Sequence, residues 1–218
     1  VNITKNRLSD SDKWFYDEAA GEIRNTNGSF FQIRGLRQYR EGELVLEQPV
    51  LIQDEIGYLG IICKETDGVL YFLMQAKIEP GNVNKIQISP TIQATKSNFT
   101  QKHGGKKPAY LDYFLNARPE DIIVDQIQSE QSSRFLGKRN RNIIIRVDDD
   151  IEVLPSHRWM TLGTIKKLMK IDNLVNMDTR TVLSCIPYSQ YDLSDSDRQE
   201  LSKAFTDKTL FESMFGSN

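Results

Sequence analysis

Cysteine and histidine are scarce here, with two of each in 218 residues. Their positions give no metal-ligand spacing of a recognised kind, so no metal site is expected. Cys63 ends the run Gly60-Ile-Ile-Cys63 and Cys185 lies in Val182-Leu-Ser-Cys185-Ile, contexts that read as buried thiols rather than a disulfide or a nucleophile. Excess positive charge is missing too: 28 Lys and Arg against 30 Asp and Glu leave a net charge of -2. A dedicated nucleic-acid binder needs a strongly basic face, so no nucleic-acid partner is expected. No run is long and apolar enough to span a bilayer, and the N-terminus has no signal-like apolar core. The expectation is a soluble, cytoplasmic chain without a membrane partner. There is no Walker loop, no Gly-x-Gly-x-x-Gly fingerprint and no internal repeat.

What is present suits one domain with an appendage. Ser9 and Asp12 form a capping-box pattern that predicts a short helix through Trp14, Phe15 and Ala19, ended by Gly21. From Phe30 the pattern turns to strands: Phe30 to Ile33, then Gly60 to Lys64 and Val69 to Met74 on either side of Asp67-Gly68, a hairpin signal. Ile86 to Ile88, Thr91 to Thr95, Ile122 to Ile127 and Asn142 to Val147 continue the sheet. Beyond Pro155, segments from Thr161, Asp178 and Asp195 carry apolar residues at helical spacing. The reading is an α+β domain with a mixed or antiparallel sheet. It divides into a helical arm over 1–28, a sheet domain over 29–155 and a helical segment over 156–218.

The stretch from Gln75 to Asn142 is crowded with polar side chains where a core should form. Burying amides, hydroxyls and charges costs free energy unless each finds a partner, so this crowding points to a ligand site. Glu79 and Glu130, Arg134 and Arg141, and the amides of Gln75, Gln93, Asn98 and Gln131 could converge from neighbouring strands. Guanidinium groups bind phosphate oxygens bidentately and amides read hydroxyl and base edges, a mixture that fits a phosphorylated, hydroxyl-rich ligand. For Lys138-Arg-Asn-Arg141 a solvated basic turn is the competing reading. His103, before Gly104-Gly105, offers a group that titrates near neutral pH.

Several ordered motifs carry a specific resemblance: Gln75-Ala-Lys-Ile-Glu-Pro-Gly-Asn82, Ser89-Pro-Thr-Ile-Gln-Ala-Thr95, His103-Gly-Gly105, Gln128-Ser-Glu-Gln131 with Arg134-Phe135, and Val175-Asn-Met-Asp-Thr-Arg180. Together they resemble the nucleotide-hexose 2,3-dehydratases of deoxysugar biosynthesis, over most of the chain from Phe30 to Pro187. The resemblance implies a Nudix-like fold without the Nudix hydrolase box and a dTDP-linked 4-keto-6-deoxyhexose substrate. After the Asp67-Gly68 hairpin, where a Nudix hydrolase places clustered Arg and Glu metal ligands, this chain has Glu79-Pro-Gly-Asn82. Pyrophosphate hydrolysis is therefore disfavoured. Family members usually carry two tandem copies of the module whereas one is present here, so a homodimer is expected to supply the second.

The implied substrate sets the chemistry. A C4 ketone acidifies the C3 hydrogen, and the C2 hydroxyl lies β to the carbonyl. Removal of the C3 proton with loss of that hydroxyl gives an enol, which tautomerises to a 3,4-diketo-2,6-dideoxy sugar. Such a lyase, a hydro-lyase, needs a base, an acid and hydrogen-bond donors for the enolate, and no redox cofactor. A downstream 3-ketoreductase would consume the product. Candidate catalytic groups are His103, Tyr110, Glu130, Glu79 and Lys77, with His103 or Tyr110 favoured for proton transfer and Glu130 for holding hydroxyls or positioning Arg134. Glu79 could equally satisfy a turn and Tyr110 could be core. Arg134, Arg139 and Arg141 are candidates for the diphosphate. Gln75, Gln93, Thr95, Asn98 and Gln131 suit sugar or base contacts, and Trp159 could stack on thymine or anchor the core. Asn176 and Arg180 lie at a helix start where Asp178 would cap and an anion could bind. The alternatives are a non-catalytic nucleotide-sugar-binding module and, more distantly, a Nudix-type nucleotide-sugar hydrolase.

Overall fold

The computed structural model describes residues 2–28, 30–95, 107–187 and 194–204. Val1–Ile186 gather into one compact unit and Pro187–Asn218 into a second. In the second unit a helix spans Asp195–Ala204, and Ser194 caps it: its hydroxyl accepts from the Asp197 N–H at 3.2 Å and donates to the Asp197 carboxylate at 2.7 Å.

Among the described residues the first unit holds two sheets. One has the order β1-β2-β3-β4-β10, built from β1 (Trp14–Asp17), β2 (Glu22–Asn25), β3 (Gln32–Arg40), β4 (Glu43–Ile52) and β10 (Phe135–Leu136). The other runs β12-β6-β5-β11-β9, with β7 (Ile86–Ser89) added to β6 (Val69–Ile78) and β8 (Ile92–Ala94) added to β5 (Gly57–Thr66). Its β9 (Ile122–Ser129) is antiparallel to β11 (Arg139–Arg146), whereas β11 is parallel to β5, and β12 (His157–Thr161) closes the edge. Mixed sheets with few helices make this the α+β architecture expected. The Asp67-Gly68 hairpin is also as expected, with Thr66 paired to Val69 and both turn residues at positive φ, 51° and 74°.

Three elements differ from the sequence expectation. The N-terminal arm holds a single 3-10 turn at Leu8–Asp10, and the helix expected through Trp14 and Ala19 is not formed. Ser11 Oγ accepts from the Trp14 N–H at 3.2 Å, but the aromatic run that follows pairs as a strand, Trp14 opposite Asn25, and Trp14 stacks against Phe31 at 4.8 Å. Asp17 Oδ1 then accepts from Ala19 and Ala20, both at 3.1 Å, closing a turn that ends at left-handed Gly21. Consecutive aromatic side chains favour a pleated surface, and an aspartate that binds its own turn competes with helix. Second, the basic run at 138–141 is not a turn, because strand β11 begins at Arg139. Third, His157–Thr161 precedes the helix as a strand on β6.

At its central strands β5 and β11 the larger sheet is buried on both faces, which is why Leu59 to Cys63 and Ile143 to Ile145 read as continuous apolar runs. On one face Ile61, Cys63, Phe72, Met74 and Ile144 pack against Ile165 of α2 (Leu162–Leu168) and Val182 and Leu183 of α3 (Met177–Ser184). On the other, Ile62, Leu73, Ile92, Ile143 and Ile145 pack against Leu111 and Phe114 of α1 (Leu111–Leu115). Each such side chain contributes about 1.5–3 kcal/mol on burial.

Where β5 and β6 part, β8 enters between them, and Thr91 spans the opening. Its hydroxyl accepts from the Ile62 N–H at 2.9 Å and donates to the Leu73 carbonyl, replacing ladder bonds the divergence would leave unmet. Buried His157 holds this wedge, its Nε2 lying 3.2 Å from the Thr91 carbonyl oxygen. The opening so created exposes Gln93 on β8 and sets the floor of the recess described next.

Candidate active site

The recess forms where α3 starts above β5, β8 and β11. Asn176 caps α3, accepting from the Thr179 N–H at 2.8 Å, while its own amide donates to Gln93 Oε1 at 3.1 Å. The other end of the Gln93 amide donates to the Asp178 carboxylate. One helix cap thereby fixes an amide on the sheet, and that amide fixes a carboxylate in the first helical turn. From the opposite side, Asn140 donates to Glu130 Oε2 at 2.6 Å, and Glu130 Oε1 accepts from the Gln131 N–H at 3.1 Å. Buried Lys138 donates to the Glu55 carbonyl, and Lys77 pairs with Glu79 at 3.1 Å.

Two adjoining lobes result. One, of about 270 Å³, is walled by Lys77, Gln93, Thr95, Lys138 and Gln53; the other, of about 340 Å³, by Gln128, Gln131, Asn142, Met177 and Thr181. Glu130, Asn140 and Asp178 line both. Burial pushes the Asp178 carboxyl up to about 6, helped by the negative charges of Glu130 and Glu79 and opposed by Lys77 and the Gln93 amide. Burial also lowers the Lys138 ammonium pKa, partly offset by Glu55 and Glu130. A carboxyl poised near neutrality can take a proton from carbon or give one to a leaving oxygen.

Of the residues expected from sequence, Lys77, Gln93, Thr95, Glu130 and Gln131 meet at this recess, and Glu79 stands at its margin through Lys77. Others do not join them. Tyr110 packs against the opposite face of the sheet, its hydroxyl donating to the Glu152 carbonyl at 2.8 Å and accepting from the Leu154 N–H at 3.0 Å, with its ring edge-on to His157. Trp159 packs into that same far-side core. Arg141 is held by Asp125 at 2.6 and 2.5 Å and by the Tyr58 hydroxyl at 2.7 Å, partners that raise its pKa, while the guanidinium in turn lowers that of Asp125. It is therefore committed within the fold rather than available for a diphosphate. Arg180 closes the approach to α3 by donating to the Val175 and Met169 carbonyls at 3.2 and 2.9 Å. Gln75 faces Ser89, whose hydroxyl donates to the Gln75 main-chain carbonyl at 3.3 Å and lies 3.5 Å from its side-chain Oε1. Arg134 and Arg139 are exposed. His103 and Asn98 lie outside the described residues. Among the described residues no group of His, Cys, Asp and Glu is arranged to hold a metal ion.

Asp178, Lys138, Asn140 and Asn142 are the site residues that sequence reasoning passed over. Asp178 reads as a cap, yet Asn176 takes that role and leaves Asp178 facing the recess. The available signal was strand parity. Lys138, Asn140 and Asn142 alternate into a strand that continues Ile143-Ile-Ile, so polar groups occupy an inward-facing row.

A family model described as NDP-hexose 2,3-dehydratase matches residues 1–186. The chain is 50% identical over 188 residues to a dTDP-4-dehydro-6-deoxy-alpha-D-glucopyranose 2,3-dehydratase of Saccharopolyspora spinosa, which covers 85% of this chain and 38% of that protein. It is 46% identical over 192 residues to an enzyme of the same name from Amycolatopsis orientalis, covering 83% of this chain and 40% of the relative. The chain thus spans about two fifths of the length of these relatives. Among solved structures it is similar to an ADP compounds hydrolase, at 10% identity over 80% of this chain and 87% of that one with a TM-score of 0.46. A Nudix hydrolase from M. smegmatis gives 11% identity over 61% and 88%, with a TM-score of 0.38. The family match over residues 1–186 shows that the chain belongs to the NDP-hexose 2,3-dehydratase family.

Proposed function

We propose that this chain carries the nucleotide-sugar site of a 2,3-dehydratase, eliminating water across C2 and C3 of a dTDP-4-keto-6-deoxyhexose. The observation that supports this most is Asp178: a half-buried carboxyl with a pKa near 6, held by Gln93 and set beside Glu130 in the recess. In this reading Asp178 takes the C3 proton as the C4 ketone delocalises the charge. The C2–O bond then breaks, the leaving hydroxide is protonated to water, and the enol reverts to the 3-ketone. Glu130, pinned by Asn140, orients hydroxyls, and the lysine-bearing side of the recess meets the diphosphate. His103, in a family-matched motif outside the described residues, is the sequence candidate for the second proton carrier. A Nudix-like module, a homodimer, a cytoplasmic location and a 3-ketoreductase that consumes the product complete the proposal.

Because the chain spans about two fifths of its named relatives, a second reading is a binding module whose chemistry needs further protein. Incubation with dTDP-4-keto-6-deoxyglucose, a 3-ketoreductase and its nicotinamide cofactor separates the two. Cofactor consumption that falls about 100-fold or more in Asp178→Asn supports the dehydratase and the role of Asp178. Calorimetric binding of the nucleotide sugar without consumption supports the binding module, and release of dTMP would indicate a hydrolase instead.

A further inference from the structure

The recess is chemically polarised, and the polarity assigns an orientation to its ligand. Asn142, at 0% exposure, lines the larger lobe. Its amide nitrogen donates to the main-chain carbonyls of Asn140 at 3.3 Å and Gln126 at 3.4 Å, which identifies the other end as the oxygen. That Oδ1 is the one buried side-chain nitrogen or oxygen among the described residues without a hydrogen-bond partner. A buried acceptor left unmet is costly, so an orphan in the wall of a ligand-sized recess marks a place where a donor belongs. The Glu130 and Asp178 carboxylates, which line both lobes, accept here as well, and among the described residues no lysine or arginine lines this lobe. Among the described residues of that lobe an anion would meet two carboxylates and no cation. In the smaller lobe the same two carboxylates are accompanied by Lys77, paired with Glu79 at the margin, and Lys138, bound to the Glu55 carbonyl, and a lysine ammonium, with three donors, is a point-charge partner for phosphate.

From this juxtaposition, and resting on the nucleotide-sugar reading above, we infer that the Asn142 lobe is a subsite for the hydroxylated sugar ring, with the diphosphate directed toward Lys77 and Lys138. The sugar supplies the hydroxyl donor that Asn142 Oδ1 lacks. Asn142 is then a specificity-determining residue that separates a nucleotide sugar from the bare nucleotide.

Calorimetric titration with dTDP and with dTDP-glucose tests this without turnover. The unaltered protein is expected to bind dTDP-glucose more tightly than dTDP. Asn142→Leu is expected to remove about tenfold of dTDP-glucose affinity and leave dTDP unchanged. Thr181→Phe, on the exposed side of α3, fills the lobe without entering the core and should have the same selective effect should Asn142→Leu not fold. Lys77→Met is expected to weaken both ligands alike. Selective loss of the sugar advantage in either lobe variant supports the subsite. Unchanged dTDP-glucose affinity in the folded variants, or equal loss of both ligands, overturns it while leaving the nucleotide-sugar reading intact. Failure of the unaltered protein to bind either ligand overturns both.

Discussion

Asn140 Nδ2 donates to Glu130 Oε2 at 2.6 Å, and this one bond ties a buried strand position to a carboxylate at the rim of the recess. There is no slack behind it: a Cβ on Gly57 would lie 2.5 Å from Asn140 Oδ1. Gly57→Ala should therefore push Asn140 and displace Glu130 without touching either residue's chemistry. Turnover is expected to fall about 10- to 100-fold, since a displacement near 1 Å has that effect at a reacting centre. The accompanying overpacking should cost about 1–3 kcal/mol. Steady-state kinetics and thermal melts on one preparation check both; unchanged turnover would show that Glu130 does not depend on Asn140.

Asp178 makes a stability prediction with an unusual sign for a carboxyl. Its folded pKa of about 6 lies above the ordinary 3.8, so the folded state holds the proton more tightly between those values. Stability from this group rises as pH falls through 6 toward 3.8, and at neutral pH the ionised form is a cost of about 2–3 kcal/mol. Asp178→Asn should be more stable than the parent near pH 7, and the advantage should vanish at about pH 4. Urea melts at the two pH values decide it; an Asn variant that gains nothing near pH 7 would place Asp178 in a better-solvated setting.

His157 predicts the opposite slope. Burial lowers its pKa below 6.5, only partly countered by the Thr91 carbonyl. The unfolded chain then binds the proton first, so stability is lost as pH falls from about 6.5 toward the folded value. In the Asp178→Asn background, where the competing carboxyl is gone, melting temperature should fall over this range. His157→Gln should flatten that fall, at the expense of a looser Thr91 wedge.

Arg141 separates a structural role from a ligand role. Its fork on Asp125 and its bond to Tyr58 predict that Arg141→Ala costs about 1 kcal/mol of stability while dTDP affinity stays within about twofold. A large loss of dTDP affinity in a normally stable variant would return Arg141 to the binding site.

Much of the sheet was legible because its signals are local. Asp67-Gly68 demands left-handed turn residues, and Ile143-Ile-Ile and Leu59 to Cys63 have the apolar continuity of strands covered on both faces. The N-terminal hairpin was not, because Ser9 and Asp12 mimic a helix start while the decision rests with the stacking of Trp14 on the distant Phe31. The candidate site divides the same way. Gln93, Lys77 and Glu130 stood out as polar groups in strand-like segments. Asp178 did not, since which of Asn176 and Asp178 caps the helix is settled by Gln93, a residue on another element. Arg141 looked like a phosphate ligand because a guanidinium's partners are invisible until the strands carrying Asp125 and Tyr58 lie beside it.

The parallel pairing of β11 with β5 also constrains when the recess can exist. Lys138 meets Glu55 across 83 residues of chain, and Asp178 meets Gln93 across 85. Contacts of such separation must close large loops before they return any free energy, so they belong to the late, slow events of folding. A nascent or partly unfolded chain can hold its hairpins, including β5 and β6, with the walls of the recess still apart. Ligand affinity should therefore recover after the secondary structure does, and the nucleotide sugar would act on the final closure rather than on the collapse that precedes it.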